Sequence, residues 1–220
     1  MKLILYSGGD RLKNYKINLR VLDFLPTKNL KITYIPSASD EERKYFKEFK
    51  DWFGFYGFRN LGYFDIGKEY SPELANQALG SKAIYLSGGN TYNFLYWLKK
   101  RKFFKSLRNF VEKGGILIGF SAGSILITPS ISIAGIPSYD HDENLIGLKD
   151  LKALKLVNFE FFPHYLPSKR LDKEILFYSK RTPCPIFGVQ EGEGIIIWDN
   201  VMEFIGIPHI FYQGSNFELC

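Results

Sequence analysis

Gly115-Ile116-Leu117-Ile118-Gly119-Phe120-Ser121-Ala122-Gly123 is the stretch that decides how this chain folds. Its apolar run reads as a buried strand, it then meets the pattern Gly-x-Ser-x-Gly, and a helix-compatible segment follows over 122–127. Strand, tight turn and helix in that order hold a serine hydroxyl outward and let the next amide point at a developing oxyanion. The pattern by itself also describes a glycine-rich turn capping a core strand. The order of the flanking elements favours a nucleophile.

Outward from this stretch, short apolar runs alternate with longer amphipathic ones, the pattern of a parallel sheet covered by helices. Residues 2–7, 31–35, 61–66 and 83–86 read as strands that precede it. Helices are predicted around 12–24 and through Tyr45, Phe46, Phe49 and Trp52, the latter with Ser37 or Ser39 as N-cap. Ser71-Pro72-Glu73 opens a third by N-cap serine and first-turn proline. Residues 91–101 and 104–113 complete the helices before Ile116. After Pro129 the chain is less regular, and 131–144 reads as an acidic, turn-rich excursion. Strands are predicted at 157–162 and 185–189 around a helix near 171–181, then a hairpin of 194–198 and 201–205 through Asp199-Asn200. The expected architecture is α/β, a three-layer, mostly parallel sheet flanked by helices with a C-terminal hairpin, in one domain over 1–220.

Composition excludes several classes. A formal charge of +6 raises nucleic acid as a partner, yet the cations are mixed with acids, as in Asp40-Glu41-Glu42-Arg43-Lys44. The cluster Lys99-Lys100-Arg101-Lys102 reads as a solvated helix end. Cys184 and Cys220 make neither a disulfide framework nor a zinc site. The apolar part of the N-terminus is too short for a signal peptide and no run reaches membrane-spanning length, so the cytoplasm is the expected address. No phosphate loop, dinucleotide fingerprint or metal cluster is present in the sequence, and no cofactor is expected. Aromatic content of 17% indicates heavy core packing, and the sequence does not say whether some of those rings line a cleft instead.

In open parallel sheets, reactive groups gather where strand ends meet the following loops. Gly88-Gly89-Asn90, Ser121, His164 and Glu191 all fall at such ends. Serine needs a base, and histidine serves best near neutral pH. His164 follows a strongly apolar strand; His209 lies among late strands and reads as structural; His141, between Asp140 and Asp142, reads as a solvated loop. The acid that orients the imidazole is Glu191 or one of Asp140, Asp142 and Glu143, and spacing does not choose between them. Gly88-Gly89 supplies a candidate second oxyanion donor beside Ala122.

Four motifs in this order, Ser87-Gly88-Gly89-Asn90-Thr91, Gly119-Phe120-Ser121-Ala122-Gly123-Ser124, Phe162-Pro163-His164-Tyr165 and Gly188-Val189-Gln190-Glu191-Gly192, resemble the dipeptidase E and cyanophycinase family of serine peptidases. The resemblance implies a fold related to class I glutamine amidotransferases, with serine replacing their cysteine. It implies Ser121 as nucleophile, His164 as base and Glu191 as orienting acid. The amides of Gly89 (or Gly88) and Ala122 would then form the oxyanion hole. Small peptides, dipeptides with N-terminal Asp among them, are the implied substrates. The aspartyl enzymes' Gly-Glu-Thr-Arg-x-x-Arg stretch is replaced here by Leu166-Pro167-Ser168-Lys169-Arg170-Leu171-Asp172. Arg170 is the residue there suited to a substrate carboxylate, Asp142 and Glu143 in the acidic excursion are candidates for a substrate's free amino end, and Asn90 is a further substrate-binding candidate. An esterase using the same elbow, or a binding protein that has lost turnover, are the alternatives.

Overall fold

Alternation along the central strands sets the layers. The computed structural model describes residues 1–218 apart from Pro26, Ser39, Glu41 and Asn200, so the N-cap candidate Ser39, the turn residue Asn200 and Cys220 lie outside the described residues. In β1 (Lys2–Tyr6), Leu3 and Leu5 face one core and Ile4 and Tyr6 the other. In β5 (Ile116–Phe120), Leu117 joins the first core, Ile116 and Ile118 the second. Strands buried on both faces need helices on both sides. The first core is closed by α4 (Thr91–Lys100) and α5 (Phe103–Glu112), through Phe94, Leu95, Leu98 and Leu107. The second is closed by α1 (Tyr15–Phe24) and α2 (Lys44–Phe55), through Ile17, Val21, Phe46, Phe49 and Phe53. Each fully buried side chain of this kind contributes about 1.5–3 kcal/mol.

The main sheet has seven strands, with β3 (Leu61–Tyr63) at one edge, then β2 (Ile32–Ile35), β4 (Ala83–Leu86), β5, β1, β8 (Gly194–Trp198) and β9 (Val201–Ile205). β3, β2, β4, β5 and β1 are parallel, and β8 and β9 form the expected antiparallel hairpin beside β1. Register brings Tyr6, Leu86 and the Gly119-Phe120 pair level, so three strands end together at one edge.

Two features differ from the sequence reading. Ser37 is not the N-cap of α2: the helix starts at Lys44, and the Asp40 carboxylate accepts the N–H groups of Lys44, Tyr45 and Phe46 at 2.8, 2.9 and 3.3 Å. A carboxylate with two oxygens serves three orphan amides where a hydroxyl serves one or two. Strands β6 (Glu160–Phe162) and β7 (Ile186–Gly188), which flank α7 (Lys169–Ser179), do not extend the main sheet. They pair with each other and, through β7, with β10 (His209–Tyr212) and β11 (Ser215–Glu218) in a second sheet of four strands. That sheet packs into the first core through Phe161, Ile186, Phe187 and Phe211. The remaining helices are α3 (Pro72–Leu79), capped by the Ser71 side chain as expected, and α6 (Ala122–Ile127).

Candidate active site

Ser121 stands alone between β5 and α6, with φ 51° and ψ −109°. Positive φ costs a non-glycine residue on the order of 1–3 kcal/mol and needs support from its surroundings. The support is backbone bonding: Ser121 N–H donates to Tyr6 O at 3.0 Å, while Ser124 and Ile125 N–H donate to Ser121 O at 2.9 and 3.1 Å. A Cβ on Gly123 would overlap the Leu86 carbonyl, so glycine there lets α6 lie directly on β4. The first helical turn is thereby pinned beneath the serine.

His164 comes from the other sheet, two residues beyond β6, and also has positive φ, 54°. Its N–H donates to Ser7 Oγ at 2.8 Å, and Ser7 Oγ–H donates to Val189 O at 2.7 Å. One fully buried hydroxyl thus ties the end of β1 to the strand ends of the second sheet. Ser121 Oγ lies 2.7 Å from His164 Nε2, and His164 Nδ1 lies 3.2 Å from Glu191 Oε1. The other carboxylate oxygen of Glu191 accepts from Lys13 Nζ at 2.5 Å. Lys13, and secondarily His164, hold the Glu191 carboxyl below the usual carboxylate range, and the same pair raises the Lys13 ammonium above its usual value. An ionised carboxylate on Nδ1 orients the imidazole with Nε2 toward the hydroxyl, the arrangement that lets the ring take a proton from it.

The Gly88 carbonyl accepts from Ser37 Oγ at 2.7 Å and Ser87 Oγ at 2.9 Å. In a trans peptide the following N–H points the opposite way, so this anchoring fixes the direction of the Gly89 amide. Among the described residues, the amides of Gly88, Gly89 and Ala122 have no acceptor. These are donors available to an oxyanion.

The substrate-side candidates from the sequence separate. Asn90 lines the cleft beside Ser121, where its Oδ1 caps α4 by accepting Asn93 N–H at 2.9 Å and its Nδ2 donates to Glu143 O at 2.9 Å. Asp142 Oδ2 accepts Thr91 N–H at 2.7 Å, so Asp142 and Glu143 close on the start of α4 and not on His164. Arg170 stacks over the Tyr139 ring at 3.8 Å and lines a separate cavity with Lys173 and Phe177. His209 packs against Tyr165 at 4.7 Å and pairs with Glu218.

Three residues at the site were not visible as candidates in the sequence: Ser7, Gly8 and Lys13. A Cβ at Gly8 would overlap the His164 ring, and Gly8 O accepts Gly192 N–H at 3.1 Å. The available signal was positional, since Ser7-Gly8-Gly9-Asp10 follows a strand that ends level with β4 and β5. The cleft itself, about 1040 Å³, runs from Ser121 and His164 to α2, with Tyr34 and Tyr85 as its floor. Among the described residues, no group of three His, Cys, Asp or Glu is arranged to hold a metal ion, and no helix is long and apolar enough to cross a membrane.

The profile of peptidase family S51 matches residues 3–205. An uncharacterized peptidase of Listeria monocytogenes is 32% identical over 174 residues, which cover 76% of this chain and 81% of the relative. A peptidase E of Nostoc sp. is 28% identical, over 96% of this chain and 88% of its own. A solved structure of a candidate peptidase E from Listeria monocytogenes EGD-e superposes with a TM-score of 0.75 at 26% identity, covering 92% of this chain and 96% of that one. The mostly parallel sheet between helix layers, together with that superposition, accords with the glutamine amidotransferase-like fold. The chain belongs to peptidase family S51 and is a serine-type peptidase.

Proposed function

We propose that this peptidase hydrolyses short peptides through a Ser121–His164–Glu191 triad. The observation that carries the proposal is the continuous relay of contacts, 2.7 Å from Ser121 Oγ to His164 Nε2 and 3.2 Å from His164 Nδ1 to Glu191. Ser121 Oγ attacks the scissile carbonyl carbon as its proton passes to His164 Nε2. Negative charge then develops on the carbonyl oxygen, and the Gly89 and Ala122 amides, with Gly88 beside them, are the donors that meet it. The C–N bond breaks, the imidazolium gives its proton to the departing amine, and an ester on Ser121 remains. Water, deprotonated by the same nitrogen, attacks that ester and restores the serine. Glu191 stays ionised throughout and stabilises the imidazolium. Lys13 lowers the Glu191 carboxyl further and so extends its ionised form to lower pH.

Aspartyl dipeptides are the reference substrates that the family resemblance supplies. The test is turnover of short peptides by wild type, Ser121→Ala and His164→Ala, with folding checked by circular dichroism. Loss of turnover in both folded variants is the expected result. Near-wild-type activity in either one overturns the triad.

A further inference from the structure

The cleft beyond Ser121 has a composition that the hydrolytic relay does not use. On α2, Tyr45, Glu48, Phe49, Trp52 and Phe55 recur at helical spacing and all line it, together with Asp51. The wall nearest the serine is aromatic. Trp52 meets Phe120 edge-on at 5.9 Å and Tyr6 at 6.0 Å, and Phe120 lies directly before the nucleophile. Tyr45 and Phe55 are 59% and 66% exposed, so core packing does not account for them.

Charge is the second observation. The cleft is lined by four carboxylates, Asp10, Asp40, Glu48 and Asp51, against one guanidinium, Arg11, although the whole chain carries +6. Asp10 and Asp40 are occupied by backbone amides. Arg11 lies over the Phe55 ring at 3.9 Å. Among the described residues, Glu48 and Asp51 have no hydrogen-bond or ion-pair partner. A negative rim with unpaired carboxylates raises the local concentration of cations and repels anions. An aromatic wall beside the nucleophile rewards a large apolar side chain on the residue whose carbonyl is attacked.

We propose that the cleft selects short, positively charged peptides with an aromatic residue on the acyl side of the cleaved bond, and disfavours acidic ones. A volume of about 1040 Å³ accommodates a peptide longer than a dipeptide. This rests on the Ser121 reading, and the test separates the two. Hydrolysis of Lys-Phe-Ala, Glu-Phe-Ala, Lys-Ala-Ala, Glu-Ala-Ala and Asp-Ala is followed by release of free amines, with wild type, Ser121→Ala and Glu48→Gln/Asp51→Asn. Lys-Phe-Ala is cleaved fastest, with kcat/KM about tenfold above Glu-Phe-Ala and above Lys-Ala-Ala. Added salt narrows the gap between the Lys and Glu peptides, because both carboxylates are exposed. The double variant narrows it further. Serine-dependent cleavage that favours Asp-Ala or Glu-Phe-Ala overturns the substrate assignment and leaves the triad standing. Cleavage that survives Ser121→Ala overturns the triad. If wild type cleaves none of the five, calorimetric binding of the same peptides decides: selective binding of Lys-Phe-Ala supports the assignment, and indifferent or absent binding refutes it.

Discussion

The two walls of the cleft are built on opposite principles. On the Ser121 wall the side chains hold one another: Lys13 to Glu191, Glu191 to His164, His164 to Ser121, with Ser7 and Gly8 fixing the backbone beneath. On the α2 wall, among the described residues, Glu48 and Asp51 face solvent with no hydrogen-bond or ion-pair partner, and the exposed rings of Tyr45 and Phe55 flank them along the helix. A closed network gives one geometry, which reaction at a carbonyl requires. Open charge and solvent-exposed rings leave contacts for a ligand to complete. Substitutions on the first wall should therefore change kcat, and those on the second should change which peptide is accepted.

Removing the proposed nucleophile breaks this division most completely. Ser121→Ala should lower kcat by about 10⁴-fold or more while the far-ultraviolet spectrum stays unchanged. Glu191→Gln should cost about 10³- to 10⁴-fold in kcat, because an amide can neither fix the imidazole tautomer nor stabilise its cation. Asp142→Asn should cost less than about threefold, since Asp142 meets the Thr91 amide and a neutral oxygen also caps a helix. Steady-state rates for this pair test which acid serves His164.

Gly8→Ala removes no group of the proposed relay. Its new methyl would push the His164 ring from Ser121, and a displacement near 1 Å lowers kcat by about a hundredfold. Lys13→Met sharpens the comparison through pH. Glu191 is depressed in the folded protein, so its ion pair is present above the unfolded carboxylate value and is lost as pH falls through the lower folded value. Lys13 is raised, so the pair persists below the unfolded lysine value and fails only as pH rises through the higher folded one. Without Lys13 the Glu191 carboxyl returns upward, and the acid limb of the kcat profile should move to higher pH. At neutral pH the carboxyl stays ionised with or without Lys13, so kcat there should change by less than about threefold. Arg170→Ala should be the mildest, within about twofold on every peptide, because Arg170 lines another cavity.

The same contrast explains what could be read from the chain. β5, Ser121 and α6 form a local sequence of strand, turn and helix, and each part carries its own signature in adjacent residues. The parallel core strands were legible for the same reason, as unbroken apolar runs between amphipathic helices. The second sheet was not. β6 and β7 have three residues each, and nothing in so short a run says whether it extends the main sheet or pairs elsewhere. β7 meets β6 across α7 and β10 across the hairpin, contacts set by tertiary packing. Lys13 reaches Glu191 from 178 positions away, as an ordinary lysine just before a helix. The α2 stripe was visible as an aromatic periodicity, but period alone does not distinguish a core face from a cleft wall.

The central claim is that Ser121 is a nucleophile activated through His164. The most direct measurement is labelling with a fluorophosphonate, followed by mass spectrometry of the peptide that contains residue 121, in wild type, His164→Ala and Glu191→Gln. The account predicts a covalent adduct on Ser121 in wild type, slower labelling in Glu191→Gln and almost none in His164→Ala. Folded wild-type protein that stays unlabelled, or that labels equally fast without His164, would contradict it.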